Sequence, residues 1–108
     1  MRVAAALERG LADDRRRYAR YQVQIGAGLS ANIRPSTPIT VVDLAVGGCG
    51  IEIGIHIEPG ARVWLKLPGL EAWPCRIAWA AEGRAGLSFD QPLHQAVVDR
   101  FAPPAPGV

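Results

Sequence analysis

Apolar and polar residues alternate over most of the chain, and this period of two predicts β-strands. From Tyr21 to Ile33 every second residue is apolar, which indicates one long strand with a single buried face. A run rich in β-branched residues over 39–44 indicates a second strand, and shorter alternating segments follow over 49–56, 62–67, 73–81 and 85–89. Turn sequences rich in proline and glycine separate these segments. The sequence therefore predicts six strands joined by short loops, an arrangement that favours pairing of consecutive strands.

The period changes near the C-terminus, where the sequence predicts a helix. Apolar residues at helical spacing are Leu93, Val97, Val98 and Phe101. Asp90 is the expected cap of this helix, with Pro92 in its first turn. The predicted fold class is all-β with one helix, a six-stranded antiparallel β-barrel with a C-terminal α-helix. A barrel is favoured because closure leaves no edge strand exposed.

The length of 108 residues suits one domain. We expect an N-terminal tail or short helix over 1–12, the barrel domain over 13–102 and a disordered proline-rich tail over 103–108. The apolar start is too short for a signal peptide, and no segment approaches transmembrane length. We therefore expect a cytoplasmic protein without membrane insertion. A net charge of +2, with Lys66 as the only lysine, argues against DNA as a partner.

Cysteine, histidine and tryptophan residues offer little catalytic chemistry. Cys49 and Cys75 alternate with apolar neighbours, so we expect two buried free thiols. His56 and His94 are not at metal-ligand spacing, and no metal ion is expected. Trp79 falls on the same predicted strand face as Cys75 and is expected in the core. No nucleophile motif or convincing acid–base pair occurs, so an enzyme is not predicted.

Positive charge is concentrated in the segment 13–20, Asp-Asp-Arg-Arg-Arg-Tyr-Ala-Arg, directly before the first predicted strand. Taken alone, such a cluster is most simply a solvated charge run that Asp13 and Asp14 partly balance. Arginine, unlike lysine, offers a planar fork of donors. That fork suits a phosphate or the O6 and N7 acceptors of a guanine edge. The rest of the sequence must decide between these interpretations.

Two motifs occur in a fixed order relative to the strands. Arg16-x-x-x-Arg20 precedes the first strand, and Asp43-x-Ala45-x-x-Gly48 lies between the second and third. Together with Gly-Leu-Ser-Phe-Asp at 86–90, this order resembles the PilZ domain family over residues 14 to about 101. That family is marked by RxxxR followed by [D/N]xSxxG. Ala45 therefore stands where the family pattern has serine.

The resemblance implies a cyclic di-GMP receptor domain that changes conformation on binding and signals to a bacterial protein partner. The residues that it places at the nucleotide are Arg16, Arg20, Asp43, Ala45 and Gly48, with Arg15, Arg17 and Gly47 as further candidates. Cyclic di-GMP is a dianion with two guanine bases, and the Asp43 carboxylate can accept from a guanine N1–H or N2–H₂ group. Loss of the motif serine at Ala45 is expected to weaken binding about tenfold to a hundredfold.

Two other functions remain open at this stage. A PilZ-like adaptor that works by protein–protein contact, without nucleotide, would fit the departure at Ala45, with Trp64 or Trp73 as partner surface. An RNA-binding barrel is less well supported, since Tyr18 and Tyr21 are the only aromatic residues near the arginines. A monomer or weak dimer is expected in each case.

Overall fold

The structure is a computed structural model, and it describes residues 20–31 and 36–102. Within these ranges it contains six strands and one helix. They are β1 (Tyr21–Ser30), β2 (Thr37–Ala45), β3 (Gly48–Glu52), β4 (Arg62–Lys66), β5 (Trp73–Ala81), β6 (Arg84–Phe89) and α1 (Gln95–Phe101). The predictions for 1–12 and 103–108, and those for Arg15, Arg16 and Arg17, lie outside the described residues.

The six strands form a closed antiparallel barrel in the order β1-β2-β3-β6-β5-β4. This confirms the predicted six-stranded barrel with one C-terminal helix. Pairing of consecutive strands was wrong at one step, because β3 pairs with β6 and β4 pairs with β1. The cause is the connection 53–61 that follows β3. The Ile53 amide donates to the Gly83 carbonyl at 2.9 Å, which ties this connection to the β5–β6 turn and carries the chain away from β3.

Apolar side chains from every strand fill the barrel, and α1 packs on this core. Val98 of the helix is fully buried, and the Leu93 amide, just before the helix, donates to the Val46 carbonyl at 2.8 Å. The helix therefore lies beside the β2–β3 turn. Cys49 and Cys75 are both buried and free, which confirms their prediction.

The helix begins later than the sequence indicates. Its N-cap is His94, whose Nδ1 accepts from the Ala96 amide at 3.0 Å. Asp90, the predicted cap, instead pairs with Arg62 at 2.8 Å across the barrel surface. Asp90 does not cap the helix, because an aspartate stabilises a helix N-terminus only where its side chain reaches a free helical amide.

Trp79 is the clearest departure from the predicted core. Its side chain is 50% exposed, although Cys75 and Ile77 on the same strand are buried. The pairing of β5 with β6 shifts register between Ile77 and Trp79, which is a β-bulge. One extra residue in a strand turns every later side chain to the other face. The bulge therefore directs Trp79 outward.

Candidate functional site

A groove on the outer face of the barrel brings several predicted site residues together. Its volume is about 580 Å³, which is within the usual range for small-ligand sites. We call it the Asp43 groove. It is lined by Arg20, Asp43, Gly47, Gly48, Cys49, Gly50, Ala78, Trp79, Gly86, Leu87 and Ser88.

A second β-bulge points Asp43 into this groove. Val41 and Leu44 are both fully buried although they are three residues apart, and the β2–β3 pairing shifts register between Val41 and Asp43. Without that shift Asp43 would share the inward face of Val41. The two charged or aromatic side chains that β2 and β5 contribute, Asp43 and Trp79, therefore both reach the groove because of a bulge. Bulges commonly re-aim side chains beside functional sites.

Asp43 holds the site together through two contacts at the same carboxylate oxygen. Arg20 Nη1 donates to Asp43 Oδ1, and the backbone amide of Gly50 donates to Oδ1 at 2.9 Å. The Arg20 side chain is 51% exposed and that of Asp43 is 22% exposed, so both remain reachable from solvent. Arg20 from the first predicted motif and Asp43 from the second, 23 positions apart in sequence, are therefore in contact at the groove.

Gly48 lines the groove, but its glycine is also required by the barrel itself. A Cβ there would lie inside van der Waals contact of the Leu87 carbonyl oxygen on β6, which is backbone and cannot swing aside. Gly47 has open space around the corresponding position. The turn carbonyls are used structurally, since Gly47 O accepts from the Phe89 amide at 3.0 Å. The amide positions of this turn are therefore fixed before any ligand arrives.

Ala45 is not among the residues that line the groove. It is 3% exposed and lies in register with Gly48 at the end of β2. Cys49 does line the groove, yet it is 2% exposed. Burial raises the pKa of the Cys49 thiol well above its ordinary value, and the nearby Cys75 and Asp43 raise it further. Cys49 is therefore a neutral wall of the groove and not a nucleophile.

Another depression, of about 490 Å³, lies beyond the far end of β3, where Glu52 pairs with Arg84 at 3.3 Å. Its lining contains no aromatic side chain. Within 20–31 and 36–102 there is also no group of histidine, cysteine and acidic residues that could hold a metal ion. No helix of the described chain has the length and apolar character needed to cross a membrane.

Trp79, Gly50, Gly86 and Ser88 are groove residues that the sequence did not identify. Gly50 and Gly86 each carried a local signal, because Gly50 lies between the buried residues Cys49 and Ile51, and Gly86 between the buried residues Ala85 and Leu87. A glycine inside a strand often marks a close approach. Ser88 and Gly86 join the groove only through the pairing of β3 with β6, which the sequence did not predict.

A small closed barrel with a polar and aromatic groove on its outer wall defines a β-barrel binding module. The family model described as PilZ domain matches residues 14–101. The chain therefore belongs to the PilZ domain family, whose members generally act as cyclic di-GMP receptors and as binding or adaptor domains.

One solved structure with this fold is the crystal structure of the PilZ domain of CeSA from a cellulose-synthesizing bacterium. The two share a TM-score of 0.57 and 17% sequence identity, with 76% of this chain and 88% of that chain covered. At this identity the likeness shows a common fold. No curated protein matches the chain.

Proposed function

We propose that this PilZ domain is a cyclic di-GMP receptor and that the Asp43 groove receives the nucleotide. The observation that carries the proposal is the meeting of Arg20 and Asp43 at a groove that also contains Trp79. A cation, an anionic acceptor and an aromatic face are the three features that a guanine nucleotide requires.

Each of these side chains has a distinct role in the proposal. The Arg20 guanidinium donates to a phosphate or to the O6 and N7 edge of guanine. Asp43 accepts from guanine N1–H or N2–H₂, groups to which no arginine can bond. The exposed indole of Trp79 stacks on a base face. Gly47 and Gly48 allow backbone amides to approach the ligand.

Arg16 completes the binding motif from the segment that leads into β1. It lies four positions before Arg20 in the sequence, so its Cα is at most about 14 Å from the Arg20 Cα. Since Arg20 lines the groove, Arg16 is within reach of a ligand there. Arg15 and Arg17 add positive charge that attracts the dianion and supply further phosphate donors.

The proposed binding also implies a change of conformation. In the structure the Arg20 guanidinium donates to the Asp43 carboxylate. A nucleotide that takes both groups must replace this ion pair, with phosphate for Arg20 and base for Asp43. Arg20 would then move from Asp43 to the nucleotide, and this rearrangement is what a bacterial protein partner would detect.

We propose further that the receptor acts without metal or catalysis, in the cytoplasm, as a monomer or weak dimer. Ala45 in place of serine lowers the affinity without abolishing binding, because the arginines and Asp43 supply most of the polar contacts.

Isothermal titration calorimetry with cyclic di-GMP at neutral pH and moderate salt tests the proposal. We expect saturable heat for the wild type and its loss in Arg16→Ala and in Arg20→Ala. Arg84→Ala is the matched control, because it removes an arginine from an ion pair outside the groove and should leave binding unchanged. No heat from the wild type at high micromolar nucleotide would overturn the proposal.

Absence of cyclic di-GMP binding would favour the adaptor function, in which the domain acts by protein–protein contact. One observation supports that function. The large apolar side chains exposed within the described chain are Ile55, at 52%, and Trp79. Trp64 and Trp73, the tryptophans first considered for a partner surface, are half-buried, and the Trp73 indole donates to the Gln91 carbonyl at 2.8 Å. A partner surface would therefore centre on Ile55 rather than on those tryptophans.

A further inference from the structure

One row of residues crosses four strands of the barrel on its outer face. Asp43 on β2 is in register with Gly50 on β3, Gly50 with Gly86 on β6, and Gly86 with Trp79 on β5. Gly50 and Gly86 occupy outward-facing positions, because the residues on either side of each point into the core. Both glycines are nonetheless buried. Something on the outside of the barrel must cover them.

The covering groups are the side chains at the two ends of the row. The three atoms nearest to a Cβ on Gly50 would all belong to Asp43: Oδ2, Cγ and Oδ1. The three atoms nearest to a Cβ on Gly86 would all belong to the Trp79 indole: Nε1, Cδ1 and Cε2. In each case the closest approach is under 3.0 Å, which real Cβ atoms essentially never show. The carboxylate and the indole therefore lie flat on two adjacent glycines.

We propose that Gly50 and Gly86 are positioning residues with different roles: Gly50 sets the base specificity of the groove, and Gly86 sets its affinity for any base. This inference rests on the proposed function. We refer to Gly50 and Gly86 together as the glycine floor.

Gly50 acts through the Asp43 carboxylate. Its amide donates to Oδ1 at 2.9 Å, and the absence of a Cβ lets the whole carboxylate rest against β3. A carboxylate accepts hydrogen bonds from the N1–H and N2–H₂ edge of guanine. Adenine has no N1–H and no 2-amino group, so at this edge of the base it offers the carboxylate no hydrogen-bond donor. A methyl group at position 50 would displace Asp43 and remove a contact that only guanine makes.

Gly86 acts through the Trp79 indole. The ring lies on the glycine and presents its other face outward, where it is half exposed. Every base has a π-face, so stacking does not distinguish guanine from adenine. A methyl group at position 86 would lift the indole from the sheet and weaken the stacking of either base equally.

Paired titrations with cyclic di-GMP and cyclic di-AMP separate the two roles. Gly50→Ala is expected to weaken cyclic di-GMP binding about tenfold to a hundredfold and to leave the weaker cyclic di-AMP binding unchanged, so that selectivity falls. Gly86→Ala is expected to weaken both nucleotides by the same factor, about fivefold to a hundredfold, with selectivity retained. Gly26→Ala is the matched control, because its Cβ would meet nothing within 4 Å.

The contrary results are equally specific. Equal loss of both nucleotides in Gly50→Ala, or unchanged binding, would show that Gly50 has no role in specificity. Preserved binding in Gly86→Ala would exclude a role of that glycine in stacking. A double-mutant cycle keeps the test valid if Gly50→Ala is unstable by itself. Asp43→Asn should lower selectivity alone, and adding Gly50→Ala to it should lower selectivity no further.

A measurement without nucleotide distinguishes failure of this inference from failure of the proposed function. In a ¹H–¹⁵N spectrum, Gly86→Ala should move the Trp79 indole N–H resonance, identified by its absence in Trp79→Phe. Gly50→Ala should leave that resonance in place, since Asp43 and not Trp79 covers Gly50. If the wild type binds neither nucleotide but the resonance moves, the glycine floor exists and the receptor function does not. An unmoved resonance in Gly86→Ala would overturn the floor itself.

Discussion

The Asp43→Asn substitution separates the structural role of Asp43 from its proposed role at the ligand. Asparagine has nearly the same size, and its Oδ1 can still accept from the Gly50 amide. The ion pair with Arg20 is lost. Partly exposed pairs of this kind stabilise proteins by about 0.2–1 kcal/mol. For a domain of this size we expect the melting temperature to fall by about 1–8 °C.

The expected effect on binding is larger than the effect on stability. A hydrogen bond from guanine to a carboxylate contributes about 1.5–3 kcal/mol. The Arg20–Asp43 ion pair opposes binding by about 0.2–1 kcal/mol, because Arg20 must leave Asp43 to bind the nucleotide. In Asp43→Asn this ion pair is absent, so its cost to binding is absent too. The difference centres near 1.6 kcal/mol, so cyclic di-GMP affinity should fall roughly fifteenfold.

Asp90→Asn is a closely matched control for this experiment. Asp90 also pairs with an arginine, Arg62, and the two pairs have similar exposure: 43% and 25% for Arg62 and Asp90, 51% and 22% for Arg20 and Asp43. It lies outside the Asp43 groove. We expect the same modest loss of stability in thermal denaturation and unchanged affinity in calorimetry.

Two results would refute this reasoning. Affinity that is unchanged or higher in Asp43→Asn would mean that Asp43 only restrains Arg20 and does not contact the base. An equal loss of affinity in Asp90→Asn would show that binding responds to the charge or stability of the whole domain rather than to the groove.

Three further substitutions test other parts of the structure. Ala45→Ser should tighten cyclic di-GMP binding about tenfold to a hundredfold in calorimetry, and no change would mean that position 45 does not touch the ligand. His94→Ala should lower the free energy of unfolding by about 0.5–2 kcal/mol in urea denaturation, since it removes the N-cap of α1; an unchanged urea midpoint would contradict this cap. Burial raises the pKa of Cys75 to about 12, so the folded protein keeps a proton that the unfolded chain loses above about pH 8.5. Stability from this thiol is therefore complete below pH 8.5 and decreases toward pH 12, and Cys75→Ala should show a smaller loss of urea midpoint between pH 7 and 10.5 than the wild type.

The fold could be predicted because alternation survives in most strands. Every second residue of β1 from Tyr21 to Ile25 is more buried than the residue after it. Five of the six predicted strands overlap their observed bounds closely, and β3 ends early at Glu52. Closure through β3–β6 and β1–β4 could not be predicted, because it depends on the path of the 53–61 connection between distant residues.

The groove was only half predictable, and the reason is the pair of bulges. Arg20 and Asp43 were identified from motif residues, but their contact required Asp43 to face outward. Strict alternation from Val41 would have turned it inward. The same phase error placed Trp79 in the core. A bulge inserts one extra residue into a strand relative to its partner strand. The residue types at 42 and 78 are ordinary for a regular strand, so the sequence does not reveal the extra residue at either position.

The glycines supply the signal that the bulges hide. Gly48, Gly50 and Gly86 all occupy outward positions in paired strands, where glycine costs about 0.5–1 kcal/mol each relative to alanine. Substitution by alanine would stabilise the barrel at these three sites only if there were space for the added methyl group. That space is already filled by the Leu87 carbonyl at Gly48, by the Asp43 carboxylate at Gly50 and by the Trp79 indole at Gly86. Glycine alternating with buried residues in a strand, as in Gly48-Cys49-Gly50-Ile51, therefore predicts groups lying against the outer wall, and in this barrel two of the three are the side chains of the proposed binding site.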